Sequence, residues 1–166
     1  YILGNAGTMA SIEINGHDDT KGLCVDISER IINEVADYHF SQSGDLKEFL
    51  LTDQFLVNTY KARNTNLGYA LHEINRQVSG GQHSNELLNT ELFYSIAESI
   101  VADQAIIYEQ YSRLQFKKTE TRQSLFRQLL EAREYMDAHL SDDIHLDQII
   151  RNAFMSKYHF IRLFKA

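Results

Sequence analysis

The residues with the clearest chemistry lie between Ser156 and Lys165, a run that carries cations and no acid. Lysine and arginine side chains form charge-assisted hydrogen bonds with carboxylates and phosphates, and arginine can offer two parallel N–H donors. From position 151 onwards the local charge is +4, in a chain whose net charge is −7. These cations are Arg151, Lys157, Arg162 and Lys165. A phosphate-bearing partner is therefore expected to meet this segment.

The same segment has the spacing of a short amphipathic helix. Phe160, Leu163 and Phe164 recur at i, i+3 and i+4, and this pattern predicts one buried face. Ser156 can accept a hydrogen bond from the free N–H groups that open a helix, so it is the predicted N-cap. The residues predicted to face outwards are Tyr158, Ile161, Arg162 and Lys165.

Charge is distributed unevenly along the 166 residues. Residues 1–116 hold 7 Lys and Arg against 16 Asp and Glu, whereas residues 117–166 hold 9 against 7. Such an asymmetry suggests that the two parts have different jobs. The length is sufficient for a buried core, so one helical domain together with pieces of others is expected.

Neither membrane insertion nor secretion is indicated. No apolar run approaches the roughly 18 to 20 residues that cross a bilayer, and the opening residues lack a basic and then apolar signal pattern. The single cysteine, Cys24, cannot form an internal disulfide, and its apolar neighbours predict a buried, unreactive thiol in a strand. A cytoplasmic protein without membrane contact and without a cofactor is expected.

Residues 1–27 predict two short strands. Ala10–Asn15 alternates apolar and polar residues, and Gly22–Ile27 repeats apolar residues at period two. Because a lone hairpin is marginally stable, these strands are expected to form the edge of a larger sheet. The segment between them, which includes His17, Asp18 and Asp19, could ligate a metal, although a solvated turn is the more frequent use of such a run.

Residues 28–116 are predicted to form helices. Asp26 and Glu29 resemble a capping box at the first helix, and Thr65 or Asn66 is predicted to cap a later one.

The longest predicted helix runs from Ser84 to about Tyr111. Its apolar face is wider than one packing partner needs, so burial on two sides is expected. A homodimer formed through this helical region would provide the second side. A central helix of a monomeric bundle is the alternative.

The C-terminal region begins at Lys117–Thr121, the predicted domain boundary, and continues as three helices. The first is an amphipathic helix whose apolar positions are Leu125, Leu129, Ala132, Met136 and Leu140. A short helix at Leu146–Ala153, a turn at Phe154 and Met155, and the cationic helix follow. This order is that of a helix-turn-helix with its supporting helix. The predicted fold class is mainly α, a helical bundle with a short N-terminal β remnant and a C-terminal helix-turn-helix.

Three parts of this region resemble the start of the AraC/XylS-type DNA-binding domain. They are Ala132–Leu140, the positions Ile144, Leu146, Asp147 and Ile149, and Met155–Lys165. The resemblance covers about 45 residues. Its most specific feature is the combination of Ser-Lys-Tyr-His-Phe with Arg-Leu-Phe-Lys on one helix.

The resemblance implies an effector-responsive, dimeric transcriptional regulator that binds double-stranded promoter DNA and responds to an unknown small molecule. Members of this family join two helix-turn-helix units by a long helix, and many carry a cupin-like sensor domain followed by dimerising helices. The chain would then be a fragment. Residues 1–27 would be the remnant of the sensor domain, residues 28–116 the dimerisation region and residues 117–166 the first half of the DNA-binding domain.

By the same resemblance, Tyr158, Ile161 and Arg162 would face the major groove. Arg162 could bond O6 and N7 of a guanine, and Ile161 or Tyr158 could contact a thymine methyl. Lys157 and Lys165 are expected on phosphates, which position a helix without reading sequence. His159 is expected to be a packed or internally hydrogen-bonded residue.

Three positions depart from the family pattern. Ile150 stands where a small residue is usual, Phe154 where the turn usually has glycine, and His145 where serine or threonine usually caps the helix. A bulky residue in a turn that needs positive φ costs on the order of 1 kcal/mol. The fold is expected to tolerate this cost.

Two other classes of function are compatible with parts of the sequence. A helical interaction or sensor module that does not bind DNA would explain the acidic helices, but it has no need of an acid-free terminal helix. An enzyme is not expected, because the sequence has no Walker loop, no GxSxG turn and no His-Cys metal spacing.

Overall fold

The computed structural model describes residues 1–4, 24–39, 44–52, 58–79 and 89–165. The chain divides into two compact units, residues 1–107 and residues 108–166. Both are mainly helical, which confirms that the fold class is mainly α. The predicted strand at residues 10–15, the residues His17, Asp18 and Asp19, and the predicted cap Ser84 lie outside the described residues.

The first unit combines helices with two very short strands. Strands β1 and β2 pair antiparallel, with Ile2 opposite Thr59 and Leu3 opposite Asn58. A 3-10 turn at Ala62–Asn64 precedes the third helix. In chain order the elements are β1 (Ile2–Leu3), α1 (Glu29–His39), α2 (Gly44–Leu51), β2 (Asn58–Thr59), α3 (Asn66–Ser79) and α4 (Thr90–Ser112). The border between the two units falls inside α4.

The strand predicted at residues 22–27 is wrong for the described residues 24–27, which take part in no strand. Val25 and Ile27 nevertheless pack against the cluster of Leu67, Ile96 and Ile100, so the period-two alternation is real. It places Cys24 on the opposite, exposed side. The expectation of a buried thiol is therefore also wrong. Successive side chains of an extended segment point to opposite sides, so the inward direction of Val25 leaves Cys24 facing outwards.

Small polar side chains open the helices of the first unit. Ser28 Oγ accepts a hydrogen bond from the N–H three residues later at 3.4 Å, so Ser28 caps α1 in place of the predicted Asp26. At the start of α3, Thr65 Oγ1 accepts a hydrogen bond from the N–H of Gly68 at 3.0 Å, so Thr65 is the cap, as predicted. At the start of α4, Asn89 Oδ1 accepts one from the N–H of Leu92 at 2.9 Å.

A buried carboxylate completes the start of α3. Asp103 of α4 is 9 % exposed and accepts hydrogen bonds from the backbone N–H of Asn66 at 3.0 Å and of Leu67 at 2.9 Å. It also accepts one from the Asn66 side-chain amide at 2.8 Å. The carboxylate satisfies donors that a helix N-terminus leaves free and lies at the positive end of the helix dipole. It therefore joins α3 to α4.

Replacing Asp103 with Asn is expected to destabilise the contact between α3 and α4 by about 1–3 kcal/mol, because an amide cannot accept all three bonds and loses the negative charge. Hydrogen exchange of the amides at the start of α3 measures this loss. Glu91→Gln, which changes an exposed carboxylate in the first turn of α4, is the matched control. Equal protection in the two variants would contradict this account of Asp103.

The second unit contains the end of α4 and three further helices, α5 (Thr119–Ala138), α6 (Leu146–Asn152) and α7 (Lys157–Phe164). One buried cluster joins these three helices. It consists of Ala132 of α5, Ile149 of α6, Ala153 at the C-cap of α6, and Phe160 of α7. Leu129 and Met136 pack at its edge, as the apolar stripe predicted. Leu140 lies beyond the end of α5 and is 81 % exposed, so its predicted burial is wrong.

A second apolar face of α5 was not predicted. Phe126 and Leu130 are buried at 4 % and 9 % exposure. The ring of Tyr111, at the end of α4, meets Phe126 edge to face with 5.6 Å between centroids. Arg122 lies over the Tyr111 ring at 5.3 Å and donates Nη2–H to the carbonyl of Phe116 at 2.9 Å. Helix α5 is thus buried on two sides, and it holds residues 111–116 in place.

The turn between α6 and α7 has the left-handed backbone conformation that glycine adopts most easily. Phe154 has φ of 50° and its side chain is 81 % exposed. Its N–H bonds the carbonyl of Arg151, and the N–H of Met155 bonds that of Ile150, both at 3.2 Å. These two bonds form a Schellman motif with Phe154 at the position where glycine is most frequent.

Replacing Phe154 with Gly is expected to stabilise the second unit by about 1 kcal/mol, because glycine removes the strain of positive φ and little burial is lost. Phe154→Ala is the control, since it removes the same ring but keeps a Cβ at positive φ. Hydrogen exchange of α6 and α7 amides compares the two. A gain that is equal in both variants would assign the effect to the ring instead of the backbone.

Candidate nucleic-acid interface

Helix α7 begins at the residue that the sequence predicts. Ser156 Oγ accepts a hydrogen bond from the backbone N–H of His159 at 3.4 Å, and the Ser156 carbonyl accepts one from Phe160 at 2.9 Å. Phe160 and Leu163 hold the inner face, with 4 % and 7 % exposure. The predicted cap of α7 and the burial of Phe160 and Leu163 are therefore confirmed.

Phe164 departs from the predicted burial. Its ring stacks on that of Phe160 with 5.0 Å between centroids but is 46 % exposed. It is the last residue of α7 and lies at the edge of the cluster, where a ring is covered on one side only.

The outer face of α7 carries the predicted site residues. Tyr158 is 79 % exposed, and Lys157, Arg162 and Lys165 are also exposed. Tyr158, Arg162 and Lys165 are spaced i, i+4 and i+7, so they share one face of the helix. Ile161 is half-buried and packs against the cluster around Phe160, so only part of its side chain faces outwards.

The cations of this face are uncompensated. Among the described residues, Lys157, Arg162 and Lys165 form no ion pair, and α7 itself contains no acid. Residues 108–166 hold 10 Lys and Arg against 8 Asp and Glu, whereas residues 1–107 hold 6 against 15. The positive charge of the chain is thus concentrated in the unit that contains α7.

Polar side chains of α6 form hydrogen bonds with the backbone of the same helix or of its N-cap. The backbone N–H of His145 donates to the side-chain oxygen of Gln148 at 2.7 Å, which supports the helix start without serine or threonine. Arg151 donates Nε–H to the carbonyl of Asp147 at 3.1 Å, so this cation is directed along its own helix. His159 is half-buried as predicted, and its buried Nε2 has no hydrogen-bond partner within the described part of the chain.

A groove beside Arg162 was not predicted. It has a volume of about 680 Å³ and is lined by Arg162 and Leu163 of α7 and by residues 113–116. Arg113 and Gln115 supply its other polar side chains, and both are exposed. These residues are far from α7 in the sequence and follow no period, so no sequence signal could have joined them to Arg162.

The first unit has a cavity of about 360 Å³ with mostly apolar walls. Its walls include Leu3, Val25, Ile27, Ile32, Leu50 and Ile100.

Over the same described ranges, no group of three His, Cys, Asp or Glu could hold a metal ion, and no helix is long and apolar enough to span a membrane.

Comparisons of the chain with protein-family models, with curated protein sequences and with solved structures give no match.

Proposed function

We propose that the chain acts in a sequence-specific, AraC/XylS-type transcriptional regulator of the cytoplasm, in which α7 lies in the major groove of double-stranded promoter DNA. The observation that carries the proposal is the outer face of α7, where Tyr158, Arg162 and Lys165 are exposed without an acidic neighbour on the helix. Most of the residues that resemble the family lie on this helix and on the two helices that pack against it.

The dimensions of α7 support this role. An α-helix with side chains is about 10–12 Å wide, and the major groove of B-form DNA is about 12 Å wide. The inner face of α7 is fixed by Phe160 and Leu163, so a helix in the groove would present the opposite face to the bases. That face contains Tyr158 and Arg162.

The side chains divide by chemistry into two groups. The guanidinium of Arg162 can bond O6 and N7 of one guanine, and the exposed ring of Tyr158 can contact a thymine methyl. Ile161 can do so only with the part of its side chain that the core leaves free. Lys157 and Lys165 offer single ammonium groups that suit phosphates.

A helical interaction or sensor module without DNA binding is the alternative. It would account for the acidic first unit, and nothing in such a module requires the cations of α7 to lie on one face. The charge distribution therefore favours the DNA-binding proposal.

The chain is expected to bind double-stranded DNA with an affinity that falls as salt rises, and Arg162→Ala is expected to weaken cognate binding by about 1–3 kcal/mol and relax the preference at one base pair. The probes are duplexes enriched from a random-sequence pool by the wild-type chain. Fluorescence anisotropy at several salt concentrations measures affinity and salt slope.

Lys157→Ala is the matched control for Arg162. Its loss of a phosphate contact should weaken all duplexes equally and leave the base preference unchanged. If the wild-type chain showed neither a salt slope nor a sequence preference, the DNA-binding proposal would be wrong. If Arg162→Ala behaved like Lys157→Ala, Arg162 would not be a base-reading residue.

The proposed regulator is a homodimer that assembles through α4. The first unit itself buries Ile96, Ile100 and Val101, so most of the wide apolar face of α4 is satisfied within one copy. Ile106 remains 57 % exposed, and Ala102 lies one turn before it on the same face. A small residue next to an exposed apolar one allows a second helix to approach closely.

A small-molecule effector, which the proposal also includes, would suit the apolar cavity of the first unit.

Ile106→Glu is expected to raise the dimer dissociation constant by about tenfold or more, because a carboxylate would be buried at the centre of the contact. Sedimentation velocity at several protein concentrations measures it. Tyr69→Glu, a similar change at an exposed aromatic residue of α3, should leave the dimer intact. A monomeric wild-type chain, or equal effects of both variants, would contradict the proposed contact.

A further inference from the structure

The groove beside Arg162 has the composition of an anion site. Its floor is apolar, with Leu114 and Leu163 at 3 % and 7 % exposure. Its polar side chains are Arg113, Gln115 and Arg162, which all carry N–H donors, and its described lining residues include no acid. A ligand that fills this groove therefore meets hydrogen-bond donors and positive charge.

The groove adjoins the outer face of α7. A helix that occupies the major groove has a sugar-phosphate strand on either side, because the helix and the groove have nearly the same width. Structural elements that flank such a helix consequently meet phosphates before they meet bases. Residues 113–116 flank α7 on the side of Arg162.

We propose that this groove receives a phosphodiester of the DNA strand that borders the major groove, with Arg113 and Gln115 as its donors. The inference rests on the proposed function and extends it to a segment that precedes α5 and lies outside the helices expected to bind DNA. Arg113 and Gln115 would position α7 and carry no base preference, whereas Arg162, at the edge of the same groove, reads a base.

The segment is fixed well enough to position a phosphate. The N–H of Leu114 bonds the carbonyl of Tyr111 at 3.1 Å, and the N–H of Phe116 bonds the carbonyl of Leu114 at 3.0 Å. Arg122 adds its hydrogen bond to the Phe116 carbonyl. Tyr111 and Leu114 are almost fully buried, so Arg113 and Gln115 extend from a backbone that is held on both sides.

One carboxylate competes with a phosphate for Arg113. Glu109 Oε1 lies 2.7 Å from Arg113 Nη2, in an i, i+4 pair whose side chains are 66 % and 56 % exposed. Such exposed pairs contribute little to stability, so Arg113 can be shared with a phosphate or released to it at low cost. The remaining N–H groups of the guanidinium stay available in either case.

The test uses the full chain and two duplexes of equal length, one enriched from a random-sequence pool and one unrelated. Arg113→Gln is expected to weaken binding to both by the same factor, about tenfold at low salt, and to reduce the salt slope by about 1, the value for one lost phosphate contact. Gln115→Glu, which places a negative charge in the groove and leaves the pair of Arg113 and Glu109 intact, is expected to weaken both duplexes as well.

The matched control is Arg127→Gln, which removes the same charge from an exposed position of α5 among Glu120 and Glu131. It should change the salt slope little. If Arg113→Gln and Gln115→Glu both bound like Arg127→Gln while the wild-type chain bound with a clear salt slope, the phosphate site would be refuted and the DNA-binding proposal would stand. If Arg113→Gln altered base preference, Arg113 would be a reading residue and the inference would also be wrong. Absence of any binding by the wild-type chain would overturn both.

Discussion

The exposed cations of α7 depend on the burial of its opposite face against α5 and α6. A helix of eight residues is too short to be stable alone in water, so its position is set by Phe160 and Leu163. Ala132 and Ala153 are both fully buried in this contact, and their small side chains let the helices approach until the ring of Phe160 fills the space between them. Loss of such a ring generally costs about 3–5 kcal/mol, so the direction of Tyr158 and Arg162 follows from apolar packing.

The two apolar faces of α5 extend this constraint to the end of α4. One face holds α6 and α7 through Ala132, and the other holds Tyr111 and Leu114 through Phe126 and Leu130. Both contacts lie within the second unit. The segments that carry Arg113 and Arg162 both have buried residues packed against α5, and the two exposed side chains line one groove.

Some local features of this chain could be predicted from sequence, whereas features that depend on long-range contacts could not. The caps Ser156 and Thr65 were predicted because a side-chain oxygen reaches an N–H only three residues away. The pairing of β1 with β2 and the groove at Arg113 depend on contacts between residues far apart, which leave no periodic signal. The burial of Leu140 was wrong for a related reason, since the stripe continues in sequence after the helix has ended. Of the residues predicted to face outwards, Tyr158, Arg162 and Lys165 are exposed, whereas Ile161 is half-buried and packs against the core.

A single α7 sets an upper bound on the specificity of the proposed regulator. Its outer face offers Arg162, Tyr158 and part of Ile161 to base edges, and one good bidentate contact discriminates by about 1–3 kcal/mol. Selection of one operator among roughly 10⁶–10⁹ competing sites needs more than such a helix can supply. Residues that contact phosphates, such as Lys157, raise affinity for every sequence equally. They therefore cannot make the regulator prefer one operator over competing sites. The proposed regulator would therefore need a second reading helix, and the proposed homodimer would supply one because each copy would bring its own α7 to the DNA.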